Sequence, residues 1–222
     1  MKHFLAVVMV CASGWAQVAT KANETYKTPE GRAAVARGLE DPARDARQKP
    51  KELVAAMEIA PGMTVVDVGT GVGYMLPFLS ASAGPAGKVI GEDIQTDFLD
   101  KAKAKAKQDN LTNVEFVLGT DTDPKLPEAA VDRVLVLDVY HHFDYPGKML
   151  AHIAAALKPA GHLVIVDYYK RRGAMGEGDR ALEHIRLDED DVIKEVEANG
   201  FRLLSQHERI PKSQYMAVFA RK

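Results

Sequence analysis

Residues 64–73 read Thr64-Val65-Val66-Asp67-Val68-Gly69-Thr70-Gly71-Val72-Gly73, and this stretch decides the fold. Its first half is apolar and β-branched around one acid, which is the composition of a short strand buried on both faces. Its second half alternates glycine with small residues, so the backbone can turn sharply and approach a ligand closely. Residues 74–82 follow at once and read as a helix. A strand, a glycine turn and a helix in that order put a ligand site at the carboxyl end of the first strand of a doubly wound sheet.

Outward from this stretch the pattern repeats. Pro50 suits a helix start, and Leu53, Val54, Met57 and Ile59 give that helix an apolar face before Pro61-Gly62 ends it. Strands are expected at residues 88–93, 114–118, 133–137 and 162–168. Helices are expected at 95–108, with Phe98, Leu99 and Ala102 inward, and at 147–157, closed by Lys158-Pro159-Ala160-Gly161. Lys101 to Lys107 alternates lysine and alanine, a good helix former with a solvated face. Strands alternating with helices imply right-handed crossovers and a parallel sheet covered on both sides. After Asp188, read as a helix cap, comes a helix ended by Asn199-Gly200, then strands at 202–209 and 214–221. Their short connection allows only an antiparallel pair. The expected fold is therefore α/β: a three-layer α/β/α, doubly wound, Rossmann-like, seven-stranded and mostly parallel sheet with a C-terminal antiparallel hairpin.

Composition narrows the function classes. The chain has 222 residues, 46% hydrophobic and 27% charged, which is globular and neither disordered nor fibrous. Its 29 basic and 31 acidic residues nearly cancel, against nucleic-acid binding by bulk charge. One cysteine excludes an intrachain disulfide and a multi-cysteine zinc site.

The first residues read as an address. Lys2 and His3 precede an apolar run, and Ser13, Gly14 and Ala16 follow it, the layout of a secretory signal. Residues 1–16 are expected to be a signal peptide cut after Ala16, with Ala19 or Ala22 as later alternatives. The run is too short to span a bilayer, which needs ~20 apolar residues. The exported protein would be periplasmic or secreted; a cytoplasmic or membrane-tethered protein is the alternative. Cleavage would remove Cys11 and Trp15, the only cysteine and tryptophan. Residues 17–49 read as a loosely structured lead-in, partly helical at 32–39, and residues 50–222 as the domain proper.

The second strand ends in Glu92-Asp93, and Asp93 lies twenty residues past Gly73. An acid there can accept both hydroxyls of a ribose, which turns a weak glycine signal into a strong one. A dinucleotide enzyme wants Gly-x-Gly-x-x-Gly; here the spacing is Gly-x-Gly-x-Gly, which disfavours a nicotinamide oxidoreductase. Asp67 just before the loop also suits a cationic ligand better than pyrophosphate.

Val65-Val66-Asp67-Val68-Gly69-Thr70-Gly71-Val72-Gly73-Tyr74 resembles the first motif of class I S-adenosylmethionine-dependent methyltransferases. The resemblance runs from about Pro50 to the end. It includes residues 89–94, 131–134 and 157–163, with Ala160 departing from the family's usual Lys-Pro-Gly-Gly. It implies S-adenosyl-L-methionine as cofactor. It would set Gly69, Thr70, Gly71 and Gly73 against the methionine and ribose, and Asp67 near the amino end. Asp93 would take the ribose hydroxyls, with Ile94 on the adenine. Asp121, with Thr120 or Thr122, would reach the adenine amino group, and Asp138 would face the methionine part. Asp121 and Asp138 also read as ordinary turn or cap carboxylates.

Val139-Tyr140-His141-His142-Phe143 falls at the acceptor mouth of that family. Either His141 or His142 could act as the catalytic base, since imidazole titrates near neutral pH; packing or cofactor contact is the other reading. No metal site is expected: adjacent histidines point apart, and no third ligand stands at metal-binding spacing. Glycines at 173, 176 and 178 suggest a mobile flap over the site. His184 and Arg186 beyond it read either as substrate contacts or as surface residues. One of Arg47, Gln48 and Lys49 is expected to meet the cofactor carboxylate. The expected activity is methyl transfer to a small-molecule acceptor, with no nucleic acid and no stable membrane insertion, the oligomeric state left open. The alternative is a non-catalytic binding domain acting as sensor or scaffold.

Overall fold

The computed structural model describes residues 17–222, so the proposed signal, 1–16, lies outside the described residues. Seven strands form one sheet: β1 Thr64–Val68, β2 Lys88–Asp93, β3 Val114–Leu118, β4 Val131–Leu137, β5 Leu157–Tyr168, β6 Phe201–Ile210 and β7 Gln214–Arg221. Their order is β3-β2-β1-β4-β5-β7-β6. β7 is antiparallel to both neighbours, and the other strands are mutually parallel in direction. The α/β class, the seven strands and the terminal hairpin all match the expectation.

Strand alternation explains the three layers. Val66, Val68, Ile90, Val134, Val136 and Ile165 face one way. They pack on Leu150 and Ile153 of α6 (Pro146–Ala156) and on Val192 and Val196 of α8 (Glu189–Ala198). Val65, Val89, Leu135, Val164 and Val166 face the other way. They meet α3 (Pro50–Ala56), α4 (Leu76–Ala83) and Ala102 of α5 (Thr96–Gln108). Each such side chain contributes about 1.5–3 kcal/mol when fully buried, so two apolar faces fix the register. On α5 the alternation resolves as expected: Phe98, Leu99, Ala102 and Ala106 are buried, while Lys101 and Lys105 pair with Glu40 and Asp109. No helix among the described residues is long and apolar enough to cross a membrane.

Arg133 sits inside β4 at 7% exposure. It is tolerated because Nε donates to the Met57 carbonyl at 2.9 Å and Nη2 to that of Glu58 at 3.4 Å, both at the end of α3. Arg133→Met should cost about 1–3 kcal/mol by stranding those carbonyls. Urea unfolding should show a lower midpoint with an unchanged slope.

Three local expectations need correction. Residues 158–161 do not form a turn after a helix; β5 already begins at Leu157. Val131 pairs with Leu157, then the register shifts and resumes at Arg133–His162, so the segment is a bulged strand start. Asp188 stands at the N-cap of α8 but makes no side-chain cap; its Oδ1 accepts from the Lys170 amide at 3.0 Å instead.

The lead-in is not loose. Thr28 caps α1 (Pro29–Leu39) and Pro29 takes its first position, so the helix starts three residues before the expected one. A second helix, α2 (Arg44–Gln48), follows. Tyr26, Val35 and Leu39 pack with Ala36 against Val72 and Phe98, and Arg32 Nε donates to Asp97 at 2.7 Å. The lead-in thus closes over the glycine turn.

Candidate active site

A cavity of about 510 Å³ opens at the carboxyl ends of β1, β2 and β4. Its floor is the turn after β1. Gly69 has φ 69°, and a Cβ there would stand 2.6 Å from both Cγ atoms of Val139. Gly73 (φ 82°) lies behind the cavity wall, where a Cβ would meet Leu76 Cδ1 at 3.0 Å and Ala102 Cβ at 3.1 Å. Gly69, Thr70 and Gly71 line the cavity.

The two acids that end β2 hold this turn. The Gly71 amide donates to Asp93 Oδ2 at 2.9 Å, and the Gln95 amide to Asp93 Oδ1 at 2.8 Å. Both Asp93 oxygens therefore already accept backbone bonds. Glu92 differs: the Gly69 amide reaches its Oε2 at 3.4 Å, while Oε1 is buried with no partner. Glu92 lines the cavity and Gly119 makes room for it, since a Cβ at 119 would fall 1.9 Å from Oε1. The sequence pointed to Asp93 alone; the open oxygen belongs to its neighbour. The adjacent Glu-Asp pair was the available signal, but which acid the turn consumes depends on the packed turn.

Asp67 is 3% exposed and accepts from Thr70 Oγ1 at 2.7 Å. Burial pushes its carboxyl up to about 7 despite that bond and the Arg44 charge. Asp138 (φ 57°) ends β4 and is likewise pushed up to about 7 by burial, with Arg44 opposing. It accepts from Gln48 Nε2 and Gln214 Nε2, each at 2.6 Å. Burial raises Asp93 to about 6 and raises Glu92 well above the carboxylate range. Four acids whose charged forms burial disfavours suit a cationic ligand, because a nearby positive charge relieves each.

The remaining expected residues divide. Ile94, 46% exposed, and Thr120 with Asp121 line the same cavity. Thr120 Oγ1 accepts from the Asp123 amide at 3.0 Å, forming the turn that presents Asp121. His142 lines the cavity and His141 does not. His141 is buried behind it, Nδ1 lying 2.7 Å from Asp167 Oδ1.

Arg47 turns out to solvent and pairs with Asp41 at 2.8 Å, while Lys49 pairs with Glu52 at 3.6 Å. One helical turn earlier, Arg44 lines the cavity, with Nη2 3.8 Å from Asp138 and its guanidinium 4.1 Å from the Tyr74 ring centre. Of the expected trio only Gln48 reaches the site, through Asp138.

The expected flap is also elsewhere. Ala174 is buried and its carbonyl accepts from Ser213 Oγ at 2.6 Å, so residues 173–178 are fastened to the hairpin. Arg186 pairs with Glu195, which also accepts from Tyr140 Oη at 2.7 Å. The cover over the cavity is instead the start of the described chain, with Gln17, Thr20, Asn23, Tyr26 and Lys27 in its wall. Asn23 Nδ2 donates to the His142 carbonyl at 3.0 Å and to Asp144 Oδ2 at 3.2 Å.

A ligand with a ribose, a flat base and a cationic amino-acid end fits these groups. The turn is open where side chains would fill it, the Glu92 oxygen is unpartnered, and carboxylates crowd one end with Arg44 beside them. Comparison with known proteins agrees. Residues 66–165 match the model of the "Methyltransferase domain" family. The chain is 34% identical over 107 residues to the demethylmenaquinone methyltransferase of Lactococcus lactis, covering 48% of this chain and 42% of that protein. It is 35% identical over 113 residues to the tRNA (adenine(58)-N(1))-methyltransferase of Thermus thermophilus, covering 50% and 42%. The chain spans less than half the length of both these relatives. A solved structure of an S-adenosylmethionine-dependent methyltransferase from Aquifex aeolicus superposes with a TM-score of 0.77 at 28% identity, over 84% of this chain and 96% of that one. The turn after β1, the strand order and these matches together identify residues 66–165 as a methyltransferase domain, set in a fold of the class I S-adenosylmethionine-dependent kind.

Proposed function

We propose that the protein transfers a methyl group from S-adenosylmethionine to a small-molecule acceptor seated beside His142. The observation that carries this reading is the charge of the cavity wall. Asp67, Glu92, Asp93, Asp121, Asp138 and Asp144 line it against Arg44 and Lys27. That balance attracts a sulfonium and an ammonium and repels a polyphosphate chain, so a nucleic-acid acceptor is disfavoured. The cover by residues 17–27 also narrows the mouth to small molecules.

Bound there, the cofactor supplies a methyl already activated by a positive sulfur. The chain's part is to bind, orient and exclude water. Asp93, whose two oxygens each keep a further lone pair beyond their backbone bonds, would meet the ribose hydroxyls, with Glu92 packed beneath it. Asp67 and Asp138 face the positive end, and Arg44 meets the carboxylate. Asn23 Oδ1 lies 2.8 Å from His142 Nδ1. Because the Asn23 amide nitrogen already donates twice, that oxygen accepts, so Nδ1 carries the proton. His142 Nε2 keeps its lone pair and can take a proton from the acceptor. Burial holds His142 well below the usual imidazole range, which keeps it unprotonated at neutral pH.

Residues 17–22 belong to this site: Gln17 and Thr20 line the cavity, and Ala19 and Ala22 are buried. Export with cleavage after Ala16 is therefore the reading that keeps the cover; a cut after Ala22 would remove part of it. N-terminal sequencing of fractionated protein tests this, and a mature chain starting at Asn23 would refute it.

Calorimetric titration with S-adenosylhomocysteine, followed by mass-spectrometric screening of hydroxyl, thiol and amine acceptors, tests the activity. Binding without any methyl product would favour the sensor or scaffold reading. Arg44→Gln should weaken S-adenosylhomocysteine binding about 10–100-fold, the worth of one charge-assisted contact. Arg47→Gln should leave it unchanged.

A further inference from the structure

We infer that His141, His142 and His184 form a binding site for one divalent transition-metal ion, with zinc the best chemical fit. One nitrogen from each ring lies within 4.8 Å of the others. The ring centres stand 4.1 Å apart for His141–His142, 5.0 Å for His141–His184 and 5.3 Å for His142–His184. The neighbours in sequence do not point apart, because Tyr140–His142 is a 3-10 turn rather than a strand. The third ring arrives from α7 (Arg180–His184), more than forty residues away.

Three observations separate this cluster from ordinary packing. First, the rings are oriented from outside. Asp167, itself 2% exposed, lies 2.7 Å from His141 Nδ1, and Asn23 lies 2.8 Å from His142 Nδ1. A carboxylate or amide oxygen on the far nitrogen is the usual support of a metal-bound imidazole, fixing its tautomer. Both supports are themselves held: Asp167 accepts the His141 and Tyr168 amides, and Asn23 donates to His142 and Asp144. Second, this leaves Nε2 of both rings as lone-pair donors, and no hydrogen bond among the described residues joins the three rings. Third, the cluster is graded in burial, with His141 buried and the other two partly exposed, so an ion can enter.

Closing three nitrogens onto an ion at ~2.0–2.1 Å needs shifts of roughly an ångström or less per ring, within side-chain rotation. A neutral three-imidazole set without thiol suits zinc and its neighbours rather than calcium or magnesium. Three protein ligands leave one position open. His142 lines the cavity, so that position faces the acceptor side. With His142 Nε2 on the ion, the ion rather than a free imidazole would activate the acceptor, binding its hydroxyl or thiol and lowering its pKa, a role that rests on the transferase reading above. Metal binding itself does not rest on it.

The test uses the full chain without a polyhistidine tag, stripped by chelator and titrated with Zn2+ by calorimetry and with Co2+ by visible absorption. One equivalent should bind with Kd of ~1 µM or tighter, giving an intense low-symmetry cobalt spectrum. His184→Ala should weaken binding by about a hundredfold or more, exceeding the loss of a supporting residue. His184→Asp should recover part of it, and His162→Ala, on β5, should bind like wild type. Absence of stoichiometric binding, or equal binding by His184→Ala and wild type, overturns the site. S-adenosylhomocysteine binding is measured alongside in chelator and should persist in His184→Ala. Its loss in the wild type with the metal pattern intact would overturn the transferase reading and leave the metal site standing.

Discussion

Gly69→Ala will bind S-adenosylhomocysteine at least about a hundredfold more weakly than wild type, a loss of ~2.7 kcal/mol. Two independent costs meet at this position. The backbone has φ 69°, a region that costs an L-residue about 1–2 kcal/mol. The new Cβ would also lie 2.6 Å from both Cγ atoms of Val139, far inside contact distance. Either Val139 or the turn must move. The turn carries the Gly71 amide that fixes Asp93 and the Thr70 hydroxyl that fixes Asp67, so its displacement disperses the ligand-binding acids. Val139→Ala in the same chain removes the two 2.6 Å contacts but leaves a tight 3.2 Å approach to Cβ and the φ cost, so the double variant should recover only part of the affinity. Gly173→Ala is the control: it too has positive φ, 82°, but its Cβ meets nothing within 4 Å. It should lower the melting temperature and leave binding alone. Wild-type affinity in Gly69→Ala, read by calorimetry, would remove the turn from the site.

The second large effect is on pH. Asp67 and Asp138 are both raised to about 7, and Glu92 is raised well above its ordinary value, all chiefly by burial. A carboxyl raised on folding stabilises the protein fully below its unfolded pKa, and that stability is lost as pH climbs through the folded value. The histidines act oppositely. His184 is lowered to about 4, and His142 and His162 are lowered below 6.5, all chiefly by burial, so their contribution grows with pH and levels off about one unit above the unfolded value of 6.5. Between pH 6.5 and 8 the loss from the acids outweighs what remains of the histidines' gain. The ligand-free, metal-free protein should therefore lose about 1 kcal/mol across that window, visible in chemical unfolding.

Cofactor binding should reverse this. A sulfonium and an ammonium beside Asp67 and Asp138 favour their ionised forms, so binding near pH 7 should release protons. Calorimetry in buffers of different ionisation enthalpy measures that release directly. S-adenosylhomocysteine, lacking the sulfonium charge, should release fewer protons than S-adenosylmethionine. Asp67→Asn should remove its share of both effects. Binding heats that do not vary with buffer would show that the acids already stand ionised or do not meet the ligand.

Much of this architecture is local and so was legible in the chain. The continuous runs of β-branched residues specify strands whose two faces are both apolar, and only a sheet covered on both sides can bury them. Glycine at 69, 71 and 73 marks positions of positive φ that other residues resist. The acid at the end of β2 follows from the strand's length.

What the sequence could not assign were meetings across space. Arg44 and Arg47 are alike as residues; the docking of α2 turns one to Asp138 and the other to solvent. Glu92 and Asp93 are adjacent acids; only the folded chain shows that the Gly71 and Gln95 amides each donate to an oxygen of Asp93 while one buried oxygen of Glu92 has no partner. Gln214 reaches Asp138 from the last strand, and His184 joins His141 and His142 from a separate helix. Strand and turn identity come from forces between near neighbours, which the order of residues encodes directly. Side-chain constellations come from the crossing of elements far apart in the chain, and only the folded sheet sets those distances.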